Sequence, residues 1–320
     1  MIIDSHAHIF DRSVGGAEEN FPLWPGTRWG GSAPDLLRQM DAAGIDKTFL
    51  ISYTPVDVMA HYHPDERDHK IAVFQHYLTK EYFVRSWEEH ADRFEWFADS
   101  IDPRVPGYVE RAAQDLDRGA AGLKMLPLFV DTEMGDRRWR PVFQLLAECG
   151  KPCIVDLSWW YADWPWFAPS VCGKFESFTD YVQGLKELVA DFPQVKVQLA
   201  HYGTPRLQDR DDPSGTLHYE RLEEQIELLQ AHDNLFFDLG AYQHVIGKDE
   251  SYPYWRALKI LEVLVRGVGA ERIHWGTDWP YLGVQPYEEL IRAVRQAPFL
   301  QEGEADEILG GNALKFLQSY

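Results

Sequence analysis

The sequence has little cysteine, little positive charge and no long apolar run, and each shortage narrows what the chain can be. Its three cysteines, Cys149, Cys153 and Cys172, show no Cys-x-x-Cys spacing. They give neither a disulfide framework nor a thiolate metal site, and they suit reduced thiols in a cytoplasmic setting. No stretch approaches the roughly 20 apolar residues of a membrane span. The start, Met1-Ile2-Ile3-Asp4, lacks the basic and apolar segments of a secretion signal. Lys and Arg total 31 against 51 for Asp and Glu, a formal net charge of −20. That balance argues against nucleic acid or an anionic membrane as a partner, and a small-molecule substrate is expected instead.

Apolar residues make up 45% of the 320, enough for a sizeable core. Eight β-branched or apolar runs recur, at 2–5, 48–52, 94–100, 122–125, 153–156, 196–200, 235–238 and 273–276. Helix-like stretches lie between and after them, such as 34–43, 106–118, 138–149, 178–191, 216–232, 253–268 and 286–296, with an extra one at 67–90. Start signals such as Ser32-Ala33-Pro34-Asp35 and Gln285-Pro286-Tyr287-Glu288 open helices, and Gly44 and Gly150 close them. Alternating strand and helix implies parallel pairing. Eight units in one chain predict a single (β/α)8 TIM barrel over residues 1–320. Two connections are longer than a barrel needs, at about 53–93 and 157–177, after strands 2 and 5. Both are expected to cap the C-terminal face, where barrel active sites sit.

The chemistry-bearing residues fall at strand ends. His6 and His8 are two apart on strand 1, so both side chains point the same way and suit a divalent metal. Asp278 follows strand 8, which closes against strand 1 and faces the histidine pair. A carboxylate there can bind the metal and take a proton from water. His201 ends strand 6 and also points to the mouth. Asp156 and Lys124 end strands 5 and 4. Arg28, in the loop after strand 1, and His244, after strand 7, are candidates for holding substrate. His61, His63, His69 and His76 sit among charges and read as a solvated helix. The chain has 12 tryptophans, and Trp159, Trp160, Trp164 and Trp166 crowd the loop after strand 5. They are expected to line the pocket, or to pack a subunit contact in a homodimer.

The His-x-His start, His201, Asp278 and the ending Ile308-Leu309-Gly310-Gly311-Asn312-Ala313 resemble the amidohydrolase superfamily. They are similar to its amidohydrolase-related group, which holds aminocarboxymuconate semialdehyde decarboxylase, resorcylate-type decarboxylases and TIM-barrel metal-dependent hydrolases. The likeness extends over Met40–Lys47 and Gly122-Leu123-Lys124-Met125. It implies His6, His8 and Asp278 as ligands of one divalent metal, usually zinc, and His201 as the catalytic histidine. One position departs from the pattern. The group places a ligand histidine at the end of strand 5, where this chain has Asp156. Asp156 is expected to replace it as a ligand, since carboxylates bind zinc and favour harder ions such as manganese or magnesium; pairing with a histidine or with Lys124 is the alternative. The resemblance implies a hydrolase of a small, aromatic or carboxylated ester, lactone or amide. The same residues suit a non-oxidative decarboxylase. A barrel that binds without catalysis is the third reading.

Overall fold

The computed structural model describes residues 1–11, 31–52, 80–98, 102–159, 169–205, 207–208, 214–240, 242, 246, 250–280 and 286–318. Eight parallel strands follow one another in sequence order: β1 (Ile3–Ala7), β2 (Lys47–Ile51), β3 (Phe94–Ala98), β4 (Gly122–Met125), β5 (Cys153–Val155), β6 (Val197–Leu199), β7 (Leu235–Asp238) and β8 (Ile273–His274). The last strand returns to the first. Ala7 bridges Trp279 in parallel. Ser5 N donates to Trp275 O at 2.9 Å, Asp278 N to His6 O at 2.7 Å and His8 N to Trp279 O at 2.7 Å. The fold is a (β/α)8 barrel, as the alternation predicts.

Helices α1 (Ala33–Ala43), α2 (Lys80–Glu89), α3 (Tyr108–Arg118), α4 (Arg140–Cys149), α5 (Phe178–Tyr181), α6 (Gln183–Asp191), α7 (Glu223–Gln230), α8 (Trp255–Val268) and α9 (Tyr287–Arg295) lie between and after the strands. Local chemistry sets several of their ends. Ser32 and Asp35 form a reciprocal capping box at the start of α1, and Gly44 ends it at φ 69°. The stretch expected as one helix at 178–191 divides at Val182. There the backbone of Gly184 lies against Gly135, too close for any side chain at 184. The helix expected from residue 216 begins only at Glu223, after a 3-10 turn at Tyr219–Leu222. Helix α2 is the described end of the first long connection; residues 53–79 and 160–168 lie outside the described residues. Among the described residues, no helix is long and apolar enough to cross a membrane.

Side chains alternate across each strand, and the alternation sorts the core in two. On β7, Leu235 and Phe237 pack outward against the helices, while Phe236 lies with the inner set of Ile3, Phe49, Ile51, Phe97 and Ile154. A C-terminal helix, α10 (Asn312–Leu317), adds Phe316 to that inner set. Its ring lies 5.6 Å from Phe236, 5.1 Å from His274, 6.4 Å from Phe49 and 6.5 Å from Phe97. Asn312 fastens the helix by donating to Ala270 O at 2.8 Å and Ile273 O at 2.9 Å. Phe316 therefore fills the barrel on the side of its apolar layer. Phe316→Ala is expected to cost about 3–5 kcal/mol, the usual toll for emptying a buried aromatic site. Urea denaturation checks this, and a loss under about 1 kcal/mol would show that the ring is not a core element.

Candidate metal centre

Above the apolar layer the barrel interior turns polar. Lys124, Gln198, Asp238 and His274 are all wholly buried there. The site grows from how these groups satisfy one another.

His6 Nδ1 lies 2.9 Å from Asp238 Oδ2, and a carboxylate only accepts, so Nδ1 carries the hydrogen. His8 Nδ1 lies 2.9 Å from the carbonyl oxygen of Ile51 and is a donor for the same reason. Burial pushes the pKa of His6 down to about 4 and that of His8 down as well. Both rings are then neutral at pH 7, and both Nε2 atoms carry lone pairs. They face Asp278 Oδ1, at 3.6 Å from His6 and 3.3 Å from His8. Burial raises the Asp278 pKa, but attraction to His201 outweighs it and holds the carboxyl below its usual range. Three electron-pair donors thus converge within 4.8 Å of one another, with their hydrogens spent on outward bonds. That is a cation's environment, and a tetrahedral divalent metal with one open position fits it.

Asp278 is held there at φ 55°, a left-handed conformation that an aspartate adopts under constraint. Its neighbour Thr277 supplies the constraint, donating from N at 2.9 Å and from Oγ1 at 2.6 Å to Asp4. Asp4 also accepts from His6 N at 3.1 Å, so one buried carboxylate pins the ends of β1 and β8 together. Burial lifts its pKa to about 7.

Asp238 is the busiest group. Oδ2 accepts from His6 Nδ1 and from Gln198 Nε2, the latter at 2.7 Å. Oδ1 accepts from His201 N and Gly240 N, each at 2.8 Å. Its oxygens also come close enough to His6 and His201 to form a second ligand-like group. Asp238 thus accepts four hydrogen bonds, among them one from the ring of His6 and one from the backbone of His201.

His201 follows β6 at φ 54°, and Tyr202, Gly203 and Thr204 share positive φ. Its ring stacks on His6, centroids 4.6 Å apart at 27°. A methyl at Gly240 would fall 3.0 Å from His201 Nδ1, so only glycine leaves room there. Nε2 lies 3.6 Å from Asp156 Oδ2. Burial opposes charge on His201, but Asp278, Asp156 and Asp238 raise its pKa to about 9.

Of the residues expected from sequence, the fold brings His6, His8, Asp278, His201, Asp156 and Lys124 to one end of the barrel. Asp156 belongs to neither three-residue group; it faces His201. Trp159 stacks on Tyr181 at 5.0 Å and meets Phe178 edge-on at 6.1 Å. Arg28, Trp160, Trp164, Trp166, His61, His63, His69, His76 and His244 lie outside the described residues. Asp4, Asp238 and Gln198 join the site through long-range hydrogen bonds that no sequence motif marks. The one signal was an acid closing the strand run Leu235-Phe236-Phe237-Asp238.

The model of one family, described as amidohydrolase, matches residues 3–318. The chain belongs to the amidohydrolase family. Its fold is that of solved members of several chemistries. A probable 2-pyrone-4,6-dicarboxylic acid hydrolase from Acinetobacter baumannii, with citric acid bound, is 13% identical with a TM-score of 0.63, covering 99% of this chain and 98% of that one. A dihydroxybenzoic acid decarboxylase from Polaromonas sp. JS666, with manganese and 2-nitroresorcinol bound, is 15% identical with a TM-score of 0.61, covering 99% and 96%. An amidohydrolase from Burkholderia multivorans with bound zinc is 17% identical with a TM-score of 0.63, covering 99% of each. No curated protein matches the chain by sequence.

Removing the orienting carboxylate tests the centre. Asp238→Asn is expected to weaken metal affinity about 10–100-fold while the fold survives, as loss of such partners does elsewhere. Competition against a chromogenic chelator measures it, and unchanged affinity would remove Asp238 from the centre.

Proposed function

We propose that this protein is a metal-dependent hydrolase of a small planar ester, lactone or amide, with zinc as the working metal. The observation that carries the reading is the His6–His8–Asp278 trio with His201 stacked against it at the barrel mouth. When bound, the ion would polarise the scissile carbonyl and acidify a water. The chain's own groups do the rest. His6 and His8 hold their lone pairs inward because Asp238 and Ile51 O take their hydrogens. Asp278 turns Oδ1 to the histidines, which leaves Oδ2 to receive the proton of the attacking water. His201, stacked on His6 beside the trio, offers a hydrogen to the oxygen that becomes negative. Trp159, with its ring on Tyr181, is the proposed aromatic wall for a planar substrate. Two independent facts support the metal: the related folds with zinc or manganese bound, and the mixed imidazole and carboxylate donors.

One observation favours decarboxylation as the second reading. Lys124 is wholly buried, and among the described residues its Nζ has no hydrogen-bond partner. Burial lowers its pKa, opposed by attraction to Asp156, Asp238 and Asp278. A buried cation of this kind suits a substrate carboxylate. Arg28 and His244 remain proposed substrate contacts on the strength of their sequence positions.

The test is turnover of the zinc-loaded protein on planar lactones and aryl esters, beside carboxylated phenols followed by carbon dioxide release. Hydrolysis is expected, with His201→Asn lowering kcat on the order of 100-fold or more and keeping its metal. Carbon dioxide release without hydrolysis would replace this reading by the second.

A further inference from the structure

The departure at the end of β5 has a structural meaning. Asp156 stands where a ligand histidine is expected, yet its oxygens are engaged elsewhere. Oδ1 accepts from Ser158 N at 2.9 Å and from Ser158 Oγ at 2.8 Å. Ser158 takes a left-handed φ of 48° to make that turn. Oδ2 faces His201 Nε2 at 3.6 Å. Asp156 falls outside the cluster in which His6, His8 and Asp278 offer their donor atoms.

The geometry points to Asp156 as the positioning residue of His201 rather than a metal ligand, so that His6, His8 and Asp278 alone hold the ion. The role given to His201 rests on the hydrolase reading above; the ligand count does not.

Three arguments carry this. First, His201 is fixed from several sides. Its backbone N is bonded to Asp238, its ring is stacked on His6, and Nδ1 fills the space that Gly240 leaves open. Asp156 is the carboxylate that faces Nε2. At 3.6 Å the pair is an ion-pair separation, through which the carboxylate orients the ring by charge. Second, Oδ1 of Asp156 is already occupied, accepting from both the N and the Oγ of Ser158. Third, three protein ligands and an open position are what a catalytic zinc needs, so the trio is complete without it.

The experiment loads wild type, Asp156→Asn, Asp156→Ala and Asp278→Asn with zinc, removes excess metal and measures zinc per folded chain. About one ion is expected in wild type and in both Asp156 variants, and a clear loss in Asp278→Asn. Loss of zinc from the Asp156 variants would make Asp156 a ligand and overturn the proposal. Cobalt gives a second readout. The visible spectrum of cobalt-loaded Asp156→Asn should match wild type, since the ligand set is the same; altered bands would contradict it. For the positioning role, kcat of Asp156→Asn should fall on the order of tenfold or more with KM within about twofold. An unchanged kcat would show that Asp156 does not act through His201. A zinc-bearing wild type that hydrolyses nothing in the substrate panel would sink the hydrolase reading and leave the ligand count standing.

Discussion

The centre depends on one buried carboxylate. Asp238 accepts from His6, Gln198, His201 and Gly240, and so ties β1, β6 and β7 at the level of the site. It decides which nitrogen of His6 is protonated and hence where the lone pair points. It also bonds the backbone of a residue in strained conformation, His201 at φ 54°. Burial works against its charge, but the neighbouring histidines and Lys124 hold the carboxyl well below its ordinary range. A carboxylate that accepts four hydrogen bonds from three strands is held rigidly, and rigidity is what a preorganised site requires.

Asp4 does comparable work at the seam. It bonds Thr277 and the backbone of His6, so the two strand ends that carry the metal donors cannot move apart independently. The barrel thus has two layers with different tasks. The apolar layer around Phe49, Phe97 and Phe316 supplies stability, and the polar layer above it supplies geometry. Gln198 joins them, donating to Asp238 and lying 2.7 Å from His274.

Much of this was legible in the sequence, for reasons of periodicity. A two-residue step puts His6 and His8 on one side of a strand whatever else the chain does. Eight strand-helix units make the last strand the neighbour of the first, and so bring Asp278 to them. Ser32 and Gly44 mark helix ends through local bonds. Asp238 and Asp4 were not legible, because their partners are distant: His6 and Asp238 are 232 residues apart, and Asp4 and Thr277 are 273 apart. The close approach of Gly184 to Gly135 is a long-range contact too. The meaning of Asp156 was open for the same reason, since only the packed ring of His201 shows what its carboxylate faces.

The central claim is that the trio at the mouth is the seat of one catalytic metal. Anomalous diffraction at the zinc edge, from crystals grown with zinc, tests it most directly. The account predicts a single strong peak bounded by His6 Nε2, His8 Nε2 and Asp278. No peak there, or a peak lodged among Asp238 and His201 instead, would contradict it.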